Sequence, residues 1–114
     1  MARKVGPVLD EILKAIAGIE TAIAGKTFVD FERDWLLRHG VQRGIEIISE
    51  ASRHLPDQLK VQHPKIRWPA IAGIGNVLRH EYHSISNKVI WEVACDELPP
   101  LKKAAEALFR ALDE

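Results

Sequence analysis

The run Trp68-Pro69-Ala70-Ile71-Ala72-Gly73-Ile74-Gly75-Asn76-Val77-Leu78-Arg79-His80-Glu81-Tyr82 brings a histidine, a tyrosine, an asparagine, an arginine and a glutamate into one apolar pattern. Successive residues of a helix turn by about 100°, so Asn76, His80 and Ser84 form one ridge and Arg79 and His83 the ridge beside it. Histidine exchanges protons near neutral pH, and the planar fork of arginine holds a phosphate through paired N–H donors. Those two needs are the needs of phosphodiester cleavage. Spacing alone leaves the plainer reading open, in which these are structural and surface groups. Tyr82 reads equally as a helix-closing ring that packs and hydrogen-bonds its hydroxyl, and Glu81 as a solvated or ion-paired acid without a catalytic part.

A scaffold of helices must position this stretch. Val5, Val8, Leu9, Ile12, Ile16, Ile19 and Ile23 recur at spacings of three and four, one face of a first helix that Gly25 stops. Thr27 or Asp30 caps a second, whose stripe Phe28, Phe31, Trp35, Leu37, Val41, Ile45, Ile48, Ala51 and Leu55 runs to Pro56. A continuous helix of roughly 25 residues would span nearly 40 Å, more than the chain needs to cover its own core, which points to a partner chain. Residues 57–63 read as a loop with at most one helical turn. Trp68-Pro69 opens the helix that carries the focal stretch, since proline in a first turn sacrifices no helical hydrogen bond. Ser84-Ile85-Ser86-Asn87 is rich in capping residues; a short helix from Val89 ends near Asp96, Leu98-Pro99-Pro100 punctuates, and a last helix aligns Leu101, Ala104, Ala105, Leu108, Phe109 and Leu112. No period-two strand or internal repeat is evident. The sum is a single all-α domain over residues 1–114, an antiparallel bundle of about five helices.

Composition narrows the function classes. With 46% hydrophobic and 28% charged residues the chain packs rather than staying disordered. Sixteen basic and sixteen acidic residues cancel, so nucleic acid would have to be captured by a local basic cleft rather than by an overall positive field. A single cysteine, Cys95, rules out an intrachain disulfide or an all-cysteine metal site, and reads as a small buried apolar residue suited to a reducing compartment. His39, His54 and His63 lack carboxylate or histidine partners at ligand spacing, so neither a metal nor a cofactor is expected. No stretch resembles a signal peptide or a membrane span, which predicts a cytoplasmic protein. Arg33, Arg38, Arg43 and Arg53 read first as a solvated face of the second helix, with the border of a nucleic-acid groove as the alternative. Trp35, Trp68 and Trp91 read as core or interface anchors.

The stretch Trp68 to Tyr82, followed by Val89-Ile90-Trp91-Glu92-Val93 and Asp96-Glu97-Leu98-Pro99-Pro100-Leu101, resembles the HepT-like branch of the HEPN superfamily. Arg43-Gly44-Ile45-Glu46-Ile47-Ile48-Ser49-Glu50-Ala51 is similar to that family's second-helix segment, with Ser49 where glycine is usual. The resemblance covers the chain from about Val8 onward. It implies a HEPN-like helical protein that dimerises through its long helices and serves as the toxin of a toxin–antitoxin pair. The implied activity is metal-independent endoribonuclease cleavage of RNA. The implied partner is a minimal nucleotidyltransferase antitoxin, which silences the toxin by transferring AMP onto the motif tyrosine.

The family motif is an arginine, four to six residues, a histidine, one residue and a tyrosine. It places the histidine at His80, the tyrosine at Tyr82, and the asparagine that commonly follows the arginine at Asn76. The arginine itself belongs at position 75, where this chain has glycine. Either Arg79, one turn on and about 40° around the helix, takes over the phosphate, or the chain is a catalytically attenuated or inactive relative that binds RNA, nucleotide or the nucleotidyltransferase without cutting. A plain helical dimer without an RNA role is the third alternative.

Overall fold

The protein is described by a computed structural model over residues 4–80 and 86–112. Its first helix, α1 (Val5–Ile23), buries Val8, Leu9, Ile12, Ile16 and Ile19 along one stripe. It gives way to a turn at Gly25, whose φ of 73° lies in the left-handed region that glycine enters without a Cβ clash.

The expected single long second helix is instead two. α2 (Phe28–Arg33) starts with a reciprocal cap: the Asp30 amide donates to Thr27 Oγ1, and the Thr27 amide donates to the Asp30 carboxylate. The Thr27 amide and hydroxyl hold the Asp30 carboxyl below its ordinary pKa. At Asp34 the backbone becomes extended, with φ −103° and ψ 100°, and Asp34 Oδ1 accepts from the Leu37 amide at 3.0 Å to start α3 (Trp35–Ser52). The apolar stripe runs through this elbow unbroken, so periodicity alone does not reveal it. α3 has 18 residues rather than roughly 25.

A single turn, α4 (Asp57–Lys60), precedes α5 (Trp68–His80). α6 (Asn87–Glu92), capped by the Ser86 hydroxyl, passes through a π-helical turn (Val93–Glu97) directly into α7 (Leu98–Ala111). The expected stop at Pro99-Pro100 does not occur. In a regular α-helix these prolines would press on the carbonyls four residues back and leave them without donors. Here the Leu98 amide donates to Val93 O, five residues back, and this wider turn precedes the prolines, which then occupy the first turn of α7.

α3 packs on both α1 and α5, and α7 packs on α1. Gly6 lies near Leu112, and Lys102 Nζ donates to Glu20 at 2.9 Å, so α1 and α7 run antiparallel. Ile12, Ile16, Phe31, Val41, Ile45, Ile48, Leu78, Leu101 and Leu108 form a single buried core with their neighbours. The described residues contain no strand, so the all-α expectation holds. No helix among them is long and apolar enough to cross a membrane.

The three tryptophans differ. Trp68 is buried, Trp91 packs against Phe31 with ring centroids 5.2 Å apart, and Trp35 is 63% exposed, stacked on His39 at 4.2 Å. Trp35 is therefore no core anchor. Cys95 is exposed rather than buried. Its partly shielded thiol, beside the Asp96 carboxylate, titrates above its ordinary value.

Candidate functional site

α5 is fixed at its start by Trp68, whose indole Nε1 donates to the carbonyls of Lys60 and His63, each at 3.1 Å. Trp68, Gly75 and Leu78 are buried, with Ile71 and Ile74 half-buried beside them. Asn76, Arg79 and His80 are all exposed, Arg79 at the edge of that stripe about 40° from Gly75 and Asn76 and His80 farther around the helix. The structure thus leaves these three predicted side chains open to a ligand from one side of α5. Tyr82 lies outside the described residues, as do Glu81, His83 and Ser84.

The neighbouring helix, α3, packs along α5. α3 runs antiparallel to α5, with Ser49 and Arg53, one turn apart, both reaching its backbone. Ser49 is 2% exposed; its hydroxyl donates to Ala72 O at 2.9 Å and accepts from the Gly75 amide at 3.0 Å. Arg53 Nε donates to the same Ala72 O at 3.0 Å. The next carboxylate on α3, Glu50, lies 3.5 Å from His54 Nε2. Arg67, just before α5, pairs with Glu97.

Position 75 faces α3, not the exposed ridge. A Cβ added to Gly75 would lie 2.6 Å from Ser49 Oγ and 2.8 Å from Ser49 Cβ. Cβ atoms essentially never approach another heavy atom that closely, and the Ser49 Cβ cannot swing away as the end of a long side chain could. The glycine is therefore what lets the two helices approach and lets Ser49 bond to the backbone of α5. This contact, and the Arg53 tether beside it, were not foreseen from sequence. The available signal was that positions 49 and 75 both depart from the family pattern.

A family model, ribonuclease HepT-like, matches residues 12–108. The chain belongs to this HepT-like family. It is 34% identical over 104 residues to the "Putative RNase" of Caldanaerobacter subterraneus subsp. tengcongensis, covering 91% of this chain and 93% of that protein. It is 34% identical over 108 residues to the "Probable ribonuclease HepT" of Thermococcus cleftensis, covering 95% and 98%. A "Putative RNase" of Methanocaldococcus jannaschii shares 28% over 104 residues, 91% and 95% of the two chains. No solved structure matches significantly. Against this HepT-like membership, Gly75 stands as a built-in feature of the α3–α5 contact. Among the described residues no group of three or more histidine, cysteine, aspartate or glutamate side chains converges on a metal-sized site.

Proposed function

We propose that this HepT-like chain is an RNA-directed toxin, a metal-independent endoribonuclease held in check by a nucleotidyltransferase antitoxin encoded beside it. The observation that carries the reading is the shared exposure of Asn76, Arg79 and His80 on one flank of α5, in a chain whose relatives are named as ribonucleases. His80 takes the proton of a ribose 2′-hydroxyl as its oxygen attacks the adjacent phosphorus. The O2′–P bond forms, the P–O5′ bond breaks, and the departing 5′ oxygen takes up a proton from solvent, leaving a 2′,3′-cyclic phosphate. Arg79 and Asn76 orient the phosphate and stabilise the charge that builds on its oxygens. Two such sites face one another in a homodimer formed through the long helices, inside the cytoplasm. The antitoxin silences the site by AMP transfer: the Tyr82 oxygen attacks the α-phosphorus of ATP and pyrophosphate leaves.

The experiment is in-vitro cleavage of RNA by the wild type and His80→Ala, alone and after co-expression with the neighbouring nucleotidyltransferase. The expected result is cleavage reduced by about 100-fold or more in His80→Ala, as for loss of a general base, and an AMP-sized mass gain with silencing of the wild type but not of Tyr82→Phe. Equal cleavage in both proteins sinks the assignment of His80. Gly75 favours a second reading, an attenuated relative that binds RNA without cutting it. RNA binding without cleavage, and no growth arrest on expression without the partner, would select that reading.

A further inference from the structure

We propose that Arg53, reaching across from α3, binds the RNA phosphate in place of the arginine that position 75 lacks. The proposal rests on the RNA-directed reading above. It begins from the contact at position 75: the residue is glycine, and a Cβ there would overlap Ser49, so the position itself supplies no cation. Any cation for the site must come from elsewhere.

Arg53 is exposed, yet tethered through Nε to Ala72 O. Guanidinium carries five N–H donors, and this bond uses one. Among the described residues its remaining donors have no other hydrogen bond or ion pair, and the carboxylate one turn away, Glu50, lies against His54 instead. The tether sets the plane and height of the guanidinium before any ligand arrives, so less side-chain freedom is lost on binding than for an untethered arginine.

The height is suitable. Ala72, Asn76 and His80 follow one another at intervals of four residues, and Ala72 and His80 lie about 12 Å apart along the axis. Ala72 O points toward residue 76, while helical side chains lean back toward the N-terminus. Both effects narrow the gap between the Arg53 guanidinium and the His80 imidazole, with Asn76 between them. A phosphodiester lying along this ridge meets a fixed cation at one end and the proton acceptor at the other. Arg79 also lies on this flank, but its guanidinium has no hydrogen bond among the described residues. Of the two, Arg53 is the one tethered to the α5 backbone.

The test compares wild type, Arg53→Gln, Arg53→Lys and Arg79→Gln in cleavage of an RNA oligonucleotide and in binding of the same sequence carrying 2′-O-methyl riboses, which cannot be cut by this route. Expected for Arg53→Gln are a fall in kcat/KM of about 30-fold or more, weaker binding, and a plot of log affinity against log salt shallower by about 0.7, the value of one phosphate contact on a single strand. Arg53→Lys should restore the salt slope but only part of the cleavage, since an ammonium keeps the charge without the fork. A merely structural Arg53 would lower the melting temperature and leave the salt slope unchanged. That result, or wild-type binding and cleavage in Arg53→Gln, overturns the proposal. A wild type that cleaves nothing leaves the binding measurements to decide. A wild type that binds no RNA at all overturns the underlying reading and this inference with it, a pattern distinct from failure of Arg53 alone.

Discussion

A side chain at position 75 has to compete with Ser49 for the same space, and that competition can be measured. Replacing a helical glycine normally gains about 1 kcal/mol in propensity. Gly75→Arg should nevertheless destabilise the fold by on the order of 1–3 kcal/mol, because Cβ would overlap Ser49 and force α3 and α5 apart. Ser49→Gly alone should also destabilise, since it leaves Ala72 O and the Gly75 amide without the hydroxyl they share. The double variant should be more stable than the sum of the two, by on the order of 1–2 kcal/mol, as expected of residues in direct contact. Urea unfolding of the four proteins checks this, and additive losses would refute the steric link. The double variant, not Gly75→Arg by itself, is then the protein in which a restored motif arginine should raise cleavage. Each departure from the family pattern was visible in the sequence. Their contact was not, because residues 26 apart in the chain touch only through the register of two antiparallel helices.

Helix boundaries depend on local chemistry that hydrophobic periodicity averages away. Asp34 lies between two stretches of one apolar stripe, so the stripe alone predicts a continuous helix; the side chain of Asp34, bonded to the Leu37 amide, produces the elbow. Asp34→Ala should therefore cost about 1 kcal/mol, the usual value of a helix N-cap, read as a lower midpoint in thermal unfolding. A shift within error would mean that packing of α2 against α3 sets the elbow without the cap. The junction at Pro99-Pro100 failed to read from sequence for a related reason. Prolines in the first turn of a new helix and prolines that stop an old one look alike, and only the π-helical turn before them joins the two helices. In contrast, α1 and α5 were legible, because Gly25 and Trp68-Pro69 are boundary signals in the residues themselves.

At the scale of the whole molecule, a protein with 16 basic and 16 acidic residues lacks the overall field that draws most nucleic-acid-binding proteins to their targets. Its attraction to RNA then comes from a few placed cations, among them the exposed Arg79 on α5 and the exposed Arg53 bonded to Ala72 O. Each phosphate neutralised on a single strand contributes about −0.7 to the slope of log affinity against log salt. Two contacts at one site predict a slope of about −1.4, and a dimer that engages one strand with both sites would double it to about −2.8. Titrating 2′-O-methyl RNA between 50 and 200 mM salt, at protein concentrations where sedimentation reports monomer or dimer, separates these cases. A slope near −1.4 that steepens toward −2.8 as the dimer forms would tie assembly to function, since the second site would then be part of the same binding surface. A slope steeper than about −5 would require a broad basic groove and would remove the reason to assign the phosphate to Arg53 and Arg79.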